Sequence, residues 1–281
     1  MRFYAEARAL YYNAHQLGKK NKHRSEKQGA DPHLVEIISV LDDKKMAGTV
    51  DVGVLEIPTE QIVGVADVVD RERYTYDFLP LTPPETEFAN QWCELYQHYL
   101  SDEGIRNPIT CYEYLGQFYV LDGKKRVSVV KCHGGSTICA CVTRILPVKT
   151  EDPVIQRYYE FLDAFEKTRL YQIAFTHPGS FPKLQKALGY EEDHVWTDSD
   201  RYSFMFGWYG INRAFQKAFD GRMKITTADA LLVLLEEYTY SQIRNTQIWI
   251  LEGFFQAAWQ KLCAIENDDS FAVTAETRKV S

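Results

Sequence analysis

At 281 residues the chain has room for one to two domains of about 150 residues each. Its 45% hydrophobic and 25% charged residues are the ordinary balance of a soluble globular protein, and 14% aromatics make the expected core bulky. The net charge of −7 excludes a broad, non-specific DNA coat, because such binding rests on counterion release by many Lys and Arg; a local basic site stays open. No segment approaches the roughly 20 apolar residues of a membrane span, and the amphipathic start Met1–Arg8 lacks the apolar stretch of a signal peptide. The six cysteines form no Cys-x-x-Cys pair, so reduced thiols and a cytoplasmic location are expected.

In chain order, Tyr4, Ala7, Leu10, Tyr11, Ala14 and Leu17 recur at three-to-four spacing and predict a helix over 1–17. The basic run Gly18–Lys27 reads as a solvated linker or helix end, with contact to nucleic acid or an acidic partner as the functional alternative. Leu34, Ile37, Ile38 and Leu41 predict a second helix over 33–41. Val50, Val52, Val54 and Ile57 predict a strand closed by Pro58, and Ile62–Val65 a second one. A polar and aromatic segment without periodicity runs from Asp70 to Pro84, a loop long enough to be functional or disordered. A helix follows over 85–100. Residues 109–114 and 117–121 form a predicted hairpin around Leu115-Gly116. Asp122-Gly123 then stops the strand, a helix runs from Lys124 to His133, Gly134-Gly135 ends it, and Thr137–Val142 returns as a strand.

Beyond Pro147 the pattern turns helical, over about 153–172, 180–188, 198–219, 226–240 and 241–264, with a polar tail after them. The expected class is α+β: a small mixed sheet, then an all-helical C-terminal region. The expected divisions are an N-terminal helical segment (1–48), a sheet domain (49–147), a helical domain (148–266) and a flexible tail (267–281). No internal repeat is present.

The strand–Asp-Gly–helix junction carries a mechanism. The first turn of a helix leaves N–H groups unpaired, with a partial positive charge behind them. Gly123 allows a sharp turn and close approach of an anion, while Lys124, Lys125 and Arg126 add charge and a fork of donors. Cations are unfavourable in a first turn, so three in succession call for an anion, and phosphate suits them. Ser128, one turn in, is a further oxygen ligand, or a serine bonded to backbone. The bland reading of the cations is neutralisation by Asp122, Glu113 or solvent. No Walker loop and no Gly-x-Gly-x-x-Gly occurs.

These segments resemble the core of the ParB/sulfiredoxin superfamily: Pro108–Tyr112, then Phe118–Val129 with its Asp-Gly-x-x-Arg turn, then Thr137–Val142, preceded by Leu55–Gly64 as the opening strand and lead-in. Glu6–Tyr12, Phe78–Leu81, Tyr158–Leu162 and Gly179–Leu184 resemble bacterial ParB-like proteins with a helical C-terminal companion. The resemblance covers about residues 50–146 and implies nucleotide phosphate on the Gly123–Arg126 turn: CTP as in chromosome-partitioning proteins, or ATP or ADP as in sulfiredoxins and free-serine kinases, with Mg²⁺ held by the nucleotide or by carboxylates. Sulfiredoxins carry their reactive cysteine where this chain has Lys124, so that chemistry is not expected. Glu60 lies near the place of the free-serine kinases' catalytic glutamate, with Asp67 in competition. Arg71 and Arg73 occupy a loop where members place an arginine near the ligand; surface pairs with Asp70 and Glu72 are the alternative. No helix-turn-helix reader follows Pro147.

Elsewhere His98, His133, His177 and His194 lack zinc spacing, and no metal site is expected. Cys139 and Cys141 share a strand face, more simply as small core residues than as metal ligands. Tyr158, Tyr159, Phe161 and Phe165, with Tyr202, Phe204, Phe206, Trp208 and Tyr209, read as core rather than base-stacking rings. Three functions follow in order of expectation: a nucleotide- or phosphate-binding regulatory module with a possible protein partner on its helical half, a small-molecule phosphotransferase with Glu60 or Asp67 as base, and, weaker, a DNA-binding protein using Lys19–Lys27.

Overall fold

A computed structural model describes residues 4–41, 46–101, 104–105 and 107–267. The chain divides into two compact units, Met1–Val148 and Lys149–Ser281. The class is α+β, with strands in the first unit and helices throughout the second. The predicted tail lies outside the described residues, except its first residue, Asn267.

In the first unit the described strands are β1 (Val35–Glu36), β2 (Met46–Pro58), β3 (Ile62–Val65), β4 (Ile109–Tyr114), β5 (Gln117–Asp122) and β6 (Thr137–Pro147). They form one mixed sheet in the order β1-β3-β5-β4-β6-β2. Strands β4 and β5 pair antiparallel around a two-residue turn in which Leu115 and Gly116 both have positive φ, 53° and 79°. That is the primed turn whose twist matches its strands. Outermost, β2 pairs antiparallel with β6, with register irregularities between Met46 and Gly48 and between Asp51 and Gly53.

Helices α1 (Tyr4–Lys27), α2 (Glu87–Leu100) and α3 (Lys124–His133) pack together, and α3 lies on β4 and β6. Helix α1 carries the basic run straight through as helix rather than linker. Its buried stripe, including Tyr11, His15 and Asn21, grips the loop before α2: Tyr11 donates to the Thr82 carbonyl at 2.7 Å and Asn21 to Asp77 at 3.0 Å. That loop is ordered around Tyr74 and Phe78, 1% and 0% exposed, so its missing periodicity reflects an irregular buried plug. No α-helix forms over 33–41, only a single 3-10 turn at Ile37–Ser39. Val35 and Glu36 pair instead with Gly64 and Val65, and Ile37 joins Tyr114, Tyr119 and Ile145 in a small cluster; this pairing overrides the local helical spacing.

A buried ion pair crosses the sheet. Glu113 and Arg144, in register on β4 and β6, are 0% and 5% exposed at their side chains. Glu113 also accepts the Gly116 amide at 2.7 Å, which ties the hairpin turn to the same pair.

The second unit contains α4 (Pro153–Thr168), α5 (Ser180–Ala187), α6 (Asp198–Phe219), α7 (Thr227–Leu235), α8 (Tyr240–Arg244), α9 (Ile248–Ala257) and α10 (Trp259–Glu266). Phe204, Trp208, Ile211 and Phe215 of α6 centre a core completed by Leu231 and Leu234 of α7 and Leu251 and Phe255 of α9. Asp229, 3% exposed, caps α7 and accepts Thr176 N at 3.1 Å, Thr176 Oγ1 at 2.9 Å and Thr226 Oγ1 at 2.7 Å. The aromatic run of α6 splits by face: Phe204 and Trp208 are core as expected, whereas Tyr202, Phe206 and Tyr209 are 76%, 66% and 46% exposed. Among the described residues, no helix is long and apolar enough to cross a membrane.

Removing one partner of a buried ion pair strands the other charge, at about 3–5 kcal/mol. Arg144→Met is expected to lower the stability of the full chain by that amount in urea unfolding, and the double variant Glu113→Gln/Arg144→Met to recover part of the loss.

Candidate functional site

Strand β5 stops and α3 starts at Gly123, whose φ of 104° lies in the left-handed region. The spot is crowded as well: a Cβ there would meet Ile109 Cγ2 at 2.6 Å and Arg126 Nε at 3.0 Å. Sequence and space both demand glycine. No side chain caps α3, and its first turn holds no acidic residue, so the helix opens on Lys124, Lys125 and Arg126 with its positive dipole end beneath them.

Each cation has a tether. Lys124 Nζ lies 2.9 Å from Asp67 Oδ1, with side chains 12% and 35% exposed. Lys125 donates to Gln91 and lies 5.3 Å from the centroid of the Phe88 ring. Arg73 approaches the same ring to 5.5 Å and pairs with Asp70 at 2.8 Å. Arg126 donates to the carbonyls of Asn107 and Pro108, both at 2.7 Å, and to Asp122. Three of its donors are therefore in use, and the residue is first a brace holding the start of β4 against α3, a correction to its reading as an open fork. Its carboxylate partner is loose, since the Asp122 side chain is 75% exposed.

The structure thus gathers Arg73, Lys124, Lys125 and Arg126 around the head of α3 with Asp67, Asp70 and Asp122, four cations against three carboxylates. Two candidates fall away. Ser128 is fully buried and accepts the Trp92 indole N–H at 2.9 Å, so it serves the α2–α3 contact. Arg71 is spent on Asp31, on Glu36 at 3.3 Å and on the Leu34 carbonyl at 2.6 Å, so it holds β1 rather than facing the turn. Its pairing with Asp31 also holds that carboxyl below the usual range, through hydrogen bonds from the His33 amide and Arg71 that outweigh partial burial.

Of the two proposed bases, Asp67 stands at the turn and Glu60 does not. Glu60 follows Thr59, which bonds the Gly135 and Ser136 carbonyls past the far end of α3, a helix of ten residues and so about 15 Å long. Lys131 donates to the Ile62 carbonyl at 2.7 Å and lies 5.1 Å from the Phe78 ring; burial pushes its ammonium down to about 8. Gln91, Phe88 and the carbonyls at 107 and 108 were not legible as site residues, because polar and aromatic positions on a helix and backbone oxygens carry no motif. Ser128 did carry a signal, since it stands within the run Val127-Ser128-Val129-Val130.

Cys139 is exposed and Cys141 half-buried on their shared face of β6, against the core reading of both. Burial pushes the buried Cys111 thiol of β4 up to about 12. Among the described residues, no group of three His, Cys, Asp or Glu is placed to hold a metal.

Gly123→Ala forces a side chain into a left-handed and occupied position, which costs about 1–3 kcal/mol. A drop of that size in urea unfolding, with the helix content of the full chain retained in circular dichroism, is the expected outcome. Compared with known proteins, the chain matches no family model and no curated protein.

Proposed function

We propose that the head of α3 is a phosphate site and that the first unit acts as a nucleotide-binding module of the ParB/sulfiredoxin kind. The observation that carries the reading is a helix start without a cap or an acid in its first turn, where the partners of Lys124, Lys125 and Arg126 among the described residues are themselves partly or largely exposed or uncharged. The phosphate receives the free amides of the turn and Lys124 Nζ, and it displaces Asp122 from Arg126. Arg126 thereby gains an anion while its grip on the 107 and 108 carbonyls keeps the guanidinium in place. Arg73 and Lys125, both against the Phe88 ring, supply further positive potential to a nucleotide's remaining phosphates. CTP, ATP and ADP, with or without Mg²⁺, are the ligands to be tried.

One specific observation favours the second reading, a small-molecule phosphotransferase. Asp67 is a carboxylate beside the cation that would hold the transferred phosphate, so an acceptor hydroxyl reaching the turn would find a base there. In this reading Asp67, not Glu60, takes the proton.

A ligand present at about 100 times its dissociation constant stabilises its protein by about 2.7 kcal/mol. One of the three nucleotides is expected to raise the melting temperature accordingly, and Lys124→Ala to abolish most of the rise. Removing a like charge about 4 Å from the phosphate is worth about 1 kcal/mol in water, roughly fivefold in affinity. Asp122→Asn is therefore expected to tighten binding about fivefold in calorimetric titration. A chain that no nucleotide and no inorganic phosphate stabilises would reject the site. The transferase reading is checked by following phosphate transfer from ATP or ADP to serine, which Asp67→Asn should suppress without weakening nucleotide binding.

A further inference from the structure

The helical unit holds a second cleft, independent of the turn at Gly123. It has a volume of about 200 Å³ and lies where α8 crosses α6 beside the end of α5. The crossing is close because α6 carries a glycine at the contact: a Cβ on Gly207 would lie 2.4 Å from Arg244 Cβ and 2.9 Å from Tyr240 Oη. The cleft has room for several waters, the scale of a small organic molecule.

Its walls are aromatic. Phe204 and Tyr240 stack with ring centroids 5.2 Å apart, and Tyr190 stacks on His194 at 4.4 Å. The Tyr240 hydroxyl donates to the Phe204 carbonyl, and burial drives its ionisation above the usual range, so this ring is neutral and fixed. One cation faces the cleft. Arg244 donates through one terminal nitrogen to Ser203 Oγ at 2.6 Å, while its Nε is buried and meets no acceptor. Ser203 keeps its own proton to donate, and Ser241 adds a hydroxyl at the rim.

Asp200, about one turn before Ser203 on α6, is a carboxylate already saturated. Asp200 accepts Tyr190 Oη at 3.0 Å, His194 Nε2 at 3.1 Å, and both the amide and the hydroxyl of Thr197 at 2.8 Å; the Thr197 bonds, chiefly, hold its carboxyl far below the usual range. It therefore stays charged, makes no ion pair with Arg244, and repels a second negative charge on a ligand. Because Nε is buried, a carboxylate in the cleft meets the guanidinium at its terminal nitrogens, beside Ser203. One positive charge, hydroxyl donors beside it, aromatic walls and a fixed negative charge one turn along α6, which weighs twice as heavily on a dianion as on a monoanion, together favour a planar monoanion.

We propose that this cleft binds a small aromatic monocarboxylate, its carboxylate on Arg244 and Ser203 and its ring among Tyr190, Phe204 and Tyr240. Calorimetric titration of the full chain with benzoate tests it, with benzamide, benzylamine and inorganic phosphate as comparisons. Benzoate is expected to bind at least tenfold more tightly than each of the other three. Arg244→Gln should weaken benzoate at least tenfold, and Ser241→Trp, which fills the rim from an exposed position, should block it with the fold intact by circular dichroism. The proposal is overturned by benzamide or phosphate binding as well as benzoate in the unaltered chain, by no benzoate binding at all, or by full benzoate affinity in a folded Ser241→Trp.

Discussion

Gly123 is one residue wide, and two demands meet there. The chain leaving β5 must reverse into α3 within a single step, and Ile109 of the neighbouring strand already fills the space a side chain would need. The left-handed backbone that satisfies both also starts α3, without a side-chain cap, on three cations. Arg126 then closes the arrangement from the other direction by fastening the carbonyls of Asn107 and Pro108. The geometry of the candidate site is therefore a by-product of how two strands and a helix are joined, and a change at Gly123 reaches the fold and the chemistry together.

Each unit buries a carboxylate. In the sheet unit, Glu113 is neutralised by Arg144 across β4 and β6, a pairing of two ions in a dry setting. In the helical unit, Asp229 accepts hydroxyls and amides of Thr176 and Thr226, and it acts electrostatically on Arg157. Both solutions supply the donors that a buried carboxylate requires. Around the turn at Gly123 the balance is looser: partners such as Asp122 stay in solvent, where an exposed pair is worth at most about 1 kcal/mol. That looseness is what lets an incoming anion compete for the same cations.

Much of this was legible from residues alone where local chemistry governs. The hairpin followed from two β-rich runs around Leu115-Gly116, and the limits of α3 from Gly123 and Gly134. Long-range partners governed where reading failed. The span 33–41 has helical spacing, yet β3 recruits Val35 and Glu36 as a strand. The stretch read as one helix over 241–264 breaks at Asn245, where the Thr246 hydroxyl bonds back to the Gln242 carbonyl, and again at Ala258. At the site, the order of the cations was plain but their partners were not: Lys124 and Asp67 are 57 positions apart, and nothing in either neighbourhood announces the pair. Which side of α3 faces Trp92 likewise decides the fate of Ser128, and only packing fixes it.

Strand β2 runs for thirteen residues along the outside of the sheet, with Val50 and Val54 in the open. A straight, valine-rich border of that length is a template on which a foreign chain can add itself as the next strand. The two irregularities at Gly48 and Gly53 break that border into pieces that are out of step with one another, and each adds local twist. An incoming strand that matches one piece loses the rhythm at the next, so the protein carries its own safeguard against growing into fibres along this side.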